Sequence, residues 1–251
     1  MARTRTLRSP TRHCRNFSSN VAIMWHAAPL QSTANNSIFL LLAFVENFNM
    51  NLIARIISII LQPIFIPLYG VILLTECDPI LLNLPISAKS LIWLIVFLST
   101  GIFPALIIGI GMRYGVITDT FVSNRKQRPI PFFLAFLGYL FGAYWLCRVG
   151  LNIFYIAPII SAAISILIIL PINHFWKISA HLSGMGGLCG GIFTFAIIYG
   201  TTPIIPLVCL ILLSGILGWS RIELKAHTLG QVCCGWLNGF FSVTIGWLML
   251  M

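Results

Sequence analysis

Between Leu52 and Leu250 the chain is a succession of apolar runs joined by short polar gaps. Each run is close to the roughly 20 mostly apolar residues that a helix needs to cross a bilayer. In hydrocarbon every backbone N–H and C=O must be satisfied internally, so such runs fold as helices. They lie at about 52–75, 88–112, 130–149, 152–171, 181–199, 203–219 and 229–250. The third and fourth form a tight hairpin broken near Gly150, and the fifth and sixth turn at Gly200-Thr201-Thr202-Pro203. The expected fold is all-α: a polytopic transmembrane helical bundle of seven spans, or six if one hairpin enters only partway. A soluble domain carries about 25% charged residues. This chain has 8%, which excludes a water-soluble fold and makes membrane lipids its surroundings.

The formal net charge is +10. The bases sit in an N-terminal arm and in the gaps between runs, a pattern that suits topology signals or phosphate sites and not a duplex-binding face. No nucleic-acid partner is expected. Cys147, Cys189, Cys209, Cys233 and Cys234 lie inside apolar runs without zinc or disulfide spacing, and read as small packing residues. No metal or other cofactor is expected. In the fifth run, Gly186/Gly190 and Gly187/Gly191 are small-xxx-small pairs that let helices approach closely.

Residues 1–49 read as a disordered basic extension ahead of a transmembrane domain at 50–251. The arm MARTRTLRSPTRHCRNFSSN is rich in Arg and Ser, and no acid precedes Glu46. Such a composition fits an organelle transit peptide or an over-extended gene start, since a clean hydrophobic segment begins at Met50. The stretch SIFLLLAF, which begins at Ser37, is too short to span.

A charge at mid-membrane costs about 2.5–3.5 kcal/mol on insertion scales, so retained charges belong at an interface or around a cavity. Three polar clusters hold most of them: 124–129 (Asn-Arg-Lys-Gln-Arg-Pro), 177–181 (Lys-Ile-Ser-Ala-His) and 220–228 (Ser-Arg-Ile-Glu-Leu-Lys-Ala-His-Thr), followed by Gln231. Two spans separate each cluster from the next, so all three emerge on one face. The pocket they would form holds bases and imidazoles but almost no carboxylate, since the chain has five acids. Divalent-metal sites need hard carboxylate ligands. Guanidinium forks suit a phosphate dianion instead, and paired imidazoles can attack phosphorus and protonate the departing oxygen. The alternative is three separate interfacial loops.

Ser220-Arg221, five residues, His227, three residues and Gln231 resemble the third signature of the type 2 phosphatidic acid phosphatases, Ser-Arg-x5-His-x3-Asp. Ser179 and His181 match the second, Pro-Ser-Gly-His, and Arg128-Pro129 the end of the first, Lys-x6-Arg-Pro. The resemblance covers about 121–239 in the family's motif order. It implies an α-helical bundle, of bacterial type and set in an inner membrane, whose polar pocket opens near the membrane surface. His227 would be the nucleophile and His181 the general acid, with Gln231 orienting His227. Arg128 and Arg221 would clamp the phosphoryl oxygens and Ser179 would donate a hydrogen bond to them. The expected lysine falls on Phe121, so Arg125, Lys126 or Lys177 would substitute. Ile178 and Ala180 replace the Pro and Gly of the second signature.

Gln231 stands where the family has aspartate. A neutral amide holds a tautomer but gives no charge to a developing imidazolium. In a serine protease triad, Asp→Asn costs about 10⁴-fold in kcat, which is on the order of 5 kcal/mol. Three functions follow in order: a metal-free membrane phosphatase acting on a lipid phosphate or polyprenyl diphosphate; a non-hydrolysing relative that binds anionic headgroups or partners; and an intramembrane prenyltransferase, suggested by Asp119 upstream of the first cluster. Basic residues are concentrated on the cluster side, with Lys89 and Arg148 opposite, which points that side to the cytoplasm; many family members work on the outer face. Sidedness and oligomeric state stay open.

Overall fold

Pro63 and Pro67 decide how the described chain begins. Neither has an N–H to donate, and a proline ring inside a helix clashes with the carbonyl four residues back. The run expected to cross at 52–75 is therefore two short helices, α1 (Asn49–Ile60) and α2 (Ile66–Cys77). Pro67 lies in the first turn of α2, where its missing donor costs nothing. The computed structural model describes residues 49–200 and 204–251. The expectations for the arm, Asn49 apart, and for Thr201–Pro203 of the expected turn lie outside the described residues.

Six helices in the described residues are long and apolar enough to cross a membrane: α3 (Ile86–Arg113), α4 (Pro129–Arg148), α5 (Ile153–Phe175), α6 (Ala180–Tyr199), α7 (Ile204–Glu223) and α8 (Leu229–Leu250). The fold is thus an all-α polytopic bundle. Two helices outrun their expected ends. α5 continues through Pro171 to Phe175, and α7 continues to Glu223, so Ser220 and Arg221 are helical. In α3 a π-helical stretch, Phe97–Ile102, precedes Pro104 and accommodates its missing donor. There the Ser99 and Thr100 hydroxyls donate to the Ile95 and Val96 carbonyls. Gly150 and Gly200 take left-handed turns, at φ 85 and 61, that end α4 and α6.

Only 33–44% of each spanning stretch is buried. The rest, including Leu106, Phe141, Leu212 and Phe241, is an exposed apolar surface. An apolar girdle that wide fits contact with lipid tails. Cys147, Cys209, Cys233 and Cys234 are exposed too; of the five cysteines read as packing residues, only Cys189 is buried.

Residues Met50–Met251 form one compact unit, and its tightest pair is α6 with α8. The two run parallel, and glycine brings their backbones together. A Cβ on Gly186 would lie 2.0 Å from the Trp236 carbonyl oxygen, and one on Gly190 2.5 Å from that of Phe240. α8 answers with its own glycines: a Cβ on Gly239 would lie 1.8 Å from the Ser183 oxygen. Gly187 and Gly191 sit less tightly: their nearest contacts are side chains, at 3.1 Å and 3.9 Å. This packing sets the N-termini of α6 and α8 side by side.

At the far end of the bundle, polar groups close on one another. Asp78, wholly buried, accepts the N–H groups of Ile80 and Leu81, the Tyr155 hydroxyl at 3.2 Å and the Tyr199 hydroxyl. Lys89 pairs with Glu76 at 2.9 Å, the sole ion pair among the described residues.

Candidate active site

The N-termini of α4, α6 and α8 gather at one end, where α7 finishes. A helix N-terminus presents unpaired N–H groups and the positive end of the helix dipole, which favours anions. Past α7 the chain doubles back through Lys225, whose φ is 51. The N–H groups of Ala226 and His227 then donate to the Arg221 carbonyl at 3.1 and 3.2 Å. His227 is thereby folded onto Arg221.

The three clusters are in direct contact. Arg128 Nη1 donates to the Ile178 carbonyl at 3.1 Å, joining the first to the second. The Ser179 N–H donates to the Gln231 carbonyl at 3.2 Å, joining the second to the third. Arg128 Nε also donates to the Val122 carbonyl at 2.8 Å.

His227 Nδ1 lies 3.1 Å from the Lys177 carbonyl oxygen and 3.1 Å from Gln231 Oε1. Both partners only accept, so Nδ1 carries the proton and Nε2 holds a lone pair. The amide cannot be turned round, because Gln231 Oε1 also accepts the Thr228 N–H at 3.2 Å in the capping box that starts α8. One side chain thus caps the helix and fixes the tautomer. Two neutral acceptors stand where the family pattern has one carboxylate.

The imidazole and the groups around it are buried: Arg128 and Arg221 are each 3% exposed, His181 5% and His227 6%. Arg221 Nη1 donates to Ser58 Oγ at 3.2 Å, while its Nε has no partner. Ser58 is itself 2.7 Å from Ser220 Oγ, and Ser220 donates to the Ala54 carbonyl at 2.6 Å. α1 therefore braces the site. His181 Nε2 is buried without a partner. No carboxylate lies within ion-pair distance of these cations among the described residues. Asp119 acts on them only at longer range, since its oxygens hold their own loop through Phe121 N–H, Ser123 N–H and the Ser123 hydroxyl.

Burial and the neighbouring Arg221 push the Arg128 guanidinium down to about 10, partly offset by Asp119. Burial, then Arg128 and Arg221, lower Lys177. His227 is lowered to about 3, first by burial and then by Arg128, Arg221 and Lys177, while its bond to Gln231 acts the other way. The imidazole is held neutral first by its burial and then by the field of the neighbouring positive charges.

Not every candidate converges. Lys126 is exposed. Arg125 Nη1 donates to the Phe175 carbonyl, and the Arg125 carbonyl accepts from Asn173 Nδ2 at 3.1 Å. Lys177 is the cation left to serve for the missing lysine. Ser179 is wholly buried as the N-cap of α6, its oxygen accepting the Leu182 N–H at 3.5 Å; its own proton remains for a ligand. Phe121 takes an unexpected place, its ring 5.3 Å from the Arg221 guanidinium carbon and 5.9 Å from the His181 ring. Glu223 pairs with neither Arg221 nor Lys225. His174 is exposed and packs on Phe175. Ser58 and Asn173 were missed because a lone hydroxyl or amide in an apolar run carries no spacing signal.

No family model matches the chain, and neither a curated protein nor a solved structure matches it.

Proposed function

We propose that this chain is an integral membrane phosphatase that hydrolyses a lipid phosphate or polyprenyl diphosphate through a histidine nucleophile, without a metal. One observation carries the reading: a neutral imidazole with a fixed tautomer stands among buried guanidinium groups that have no carboxylate partner among the described residues. Unpaired buried cations are costly, and a phosphate dianion supplies the missing countercharge. The resemblance to the type 2 phosphatidic acid phosphatases assigns the same residues.

In the first step the Nε2 lone pair of His227 attacks phosphorus and the bond from phosphorus to the lipid oxygen breaks. That oxygen takes a proton from His181, which enters the step as imidazolium, the bound phosphate offsetting the neighbouring guanidinium charges, and leaves it neutral. The Nδ1 proton stays on His227, shared between Gln231 Oε1 and the Lys177 carbonyl. Arg128, Arg221 and Lys177 hold the phosphoryl oxygens as charge shifts. A water then attacks phosphorus, gives its proton to His181, and the N–P bond breaks to release phosphate. A bacterial inner membrane is the location the family resemblance suggests.

A second reading, a non-hydrolysing headgroup binder, is favoured by Phe121, whose ring covers Arg221. The test is phosphate release by the purified protein in EDTA, from a panel of lipid phosphates and polyprenyl diphosphates. Release that His227→Ala abolishes is expected. No release from a folded sample overturns the enzyme and leaves the binder.

A further inference from the structure

Beneath the candidate active site the bundle holds a cavity of about 220 Å³. Its lining starts among groups of the site itself, at Phe121, Arg128 and His181. It ends at Tyr155, Phe195 and Trp247, beside the far polar end. Along α6 it runs from Ala180 to Phe195, which at 1.5 Å per residue is about 22 Å. Gly184, Gly187 and Gly191 make up much of its α6 wall, so a backbone without side chains forms one side of the channel. Protein interiors close such spaces unless something fills them.

Three features fit one occupant. The channel is long for its volume, it is mostly apolar, and the one cation in its lining, Arg128, belongs to the proposed phosphate site. Phe121 stands at the junction, against Arg221 and His181 on one side and lining the channel on the other. We propose that the channel takes the hydrocarbon tail of a single-chain lipid phosphate, drawn out of the bilayer and threaded along α6. This deepens the phosphatase reading and rests on it for the headgroup. A tail passing from lipid to an apolar channel changes one apolar surrounding for another, so the gain is in selectivity and not in affinity. A second apolar pocket, of about 310 Å³, lies against α6 at Met185 and Leu188, but no residue of the cationic site lines it, so a second chain has no such route from the headgroup.

Gly191 supplies the block. A Cβ there meets only Trp247 and Val243 at 3.9 Å, so a larger side chain enters the channel without touching backbone. Ten residues separate His181 from Gly191, about 15 Å of helix. Gly109, where an added Cβ meets nothing, is the matched control outside the channel.

The experiment uses the full chain in mixed micelles, with single-chain alkyl and prenyl phosphates of graded length against a two-chain phosphatidic acid. Wild type is expected to favour the single-chain series by about tenfold or more. Gly191→Leu is expected to cut release about tenfold for tails longer than about 15 Å, and to spare shorter ones. Gly109→Leu changes neither. A binding arm needs no turnover: a long alkyl phosphate brominated at its tail should quench tryptophan fluorescence, with part of the quenching lost in Trp247→Phe. Trp247-dependent quenching without phosphate release keeps the channel and removes the phosphatase. Release with no preference for single chains and no Trp247-dependent quenching removes the channel and keeps the phosphatase.

Discussion

The two ends of the bundle treat buried charge in opposite ways. At the far end Asp78 is saturated by two backbone N–H groups and two tyrosine hydroxyls, and Lys89 has Glu76. At the other end Arg128 and Arg221 are as deeply buried, with carbonyl and hydroxyl partners but, among the described residues, no carboxylate and no partner for Arg221 Nε or His181 Nε2. Burying a charge costs several kcal/mol unless hydrogen bonds and a countercharge compensate it. The far end is compensated within the fold. The near end is left uncompensated among the described residues, and the proposed phosphate site rests on that difference.

Matched substitutions test the contrast. The largest effect belongs to His227→Ala, which should lower phosphate release by at least about 10³-fold while the melting temperature holds. Asp78→Asn should cost about 3 kcal/mol of stability, since one acceptor oxygen becomes a donor facing other donors. It should leave release unchanged within about twofold, measured by thermal unfolding beside the activity assay. Arg221→Gln should do the reverse. Release falls about 10²-fold as a phosphoryl contact is lost, yet the unliganded protein gains about 1 kcal/mol because an uncompensated buried cation is gone. A loss of stability in Arg221→Gln would break the comparison.

The same field sets a pH response. A histidine lowered from 6.5 to about 3 is neutral at every pH above that value. In the unliganded protein the nucleophile should therefore stay unprotonated at pH 5, as NMR titration of the His227 ring would read. Arg221→Gln removes one of the charges responsible, so the His227 pKa should rise toward 6.5. The smallest effect is expected at Lys126→Ala, below about twofold in kcat/KM, because an exposed side chain outside the cluster contacts costs little to remove.

The near end of this contrast was legible in the sequence, for a physical reason; the closed polar group around Asp78 was not. Charges survive in so apolar a chain only where something holds them, and the count of spans between the clusters put all three on one end. Hydropathy misplaced the first crossing because it weighs side chains and is blind to the backbone donors that Pro63 and Pro67 lack. It ended α7 four residues early because Ser220 and Arg221 look like a loop, although both are buried against α1 in a helix. The sequence identified Gln231 as a loss of charge. It could not show that the same amide caps α8, and so points its oxygen at His227.

The central claim is that His227 Nε2 attacks phosphorus, and trapping the intermediate tests it most directly. The purified protein would be mixed with a lipid phosphate in EDTA, quenched in base, where a phosphoramidate survives, and digested for mass spectrometry. The account predicts phosphate on the His227 ring, absent in His227→Ala and accumulating in Gln231→Leu if hydrolysis slows more than attack. Phosphate release from wild type with no phosphohistidine, or with the phosphate on another residue, would contradict it.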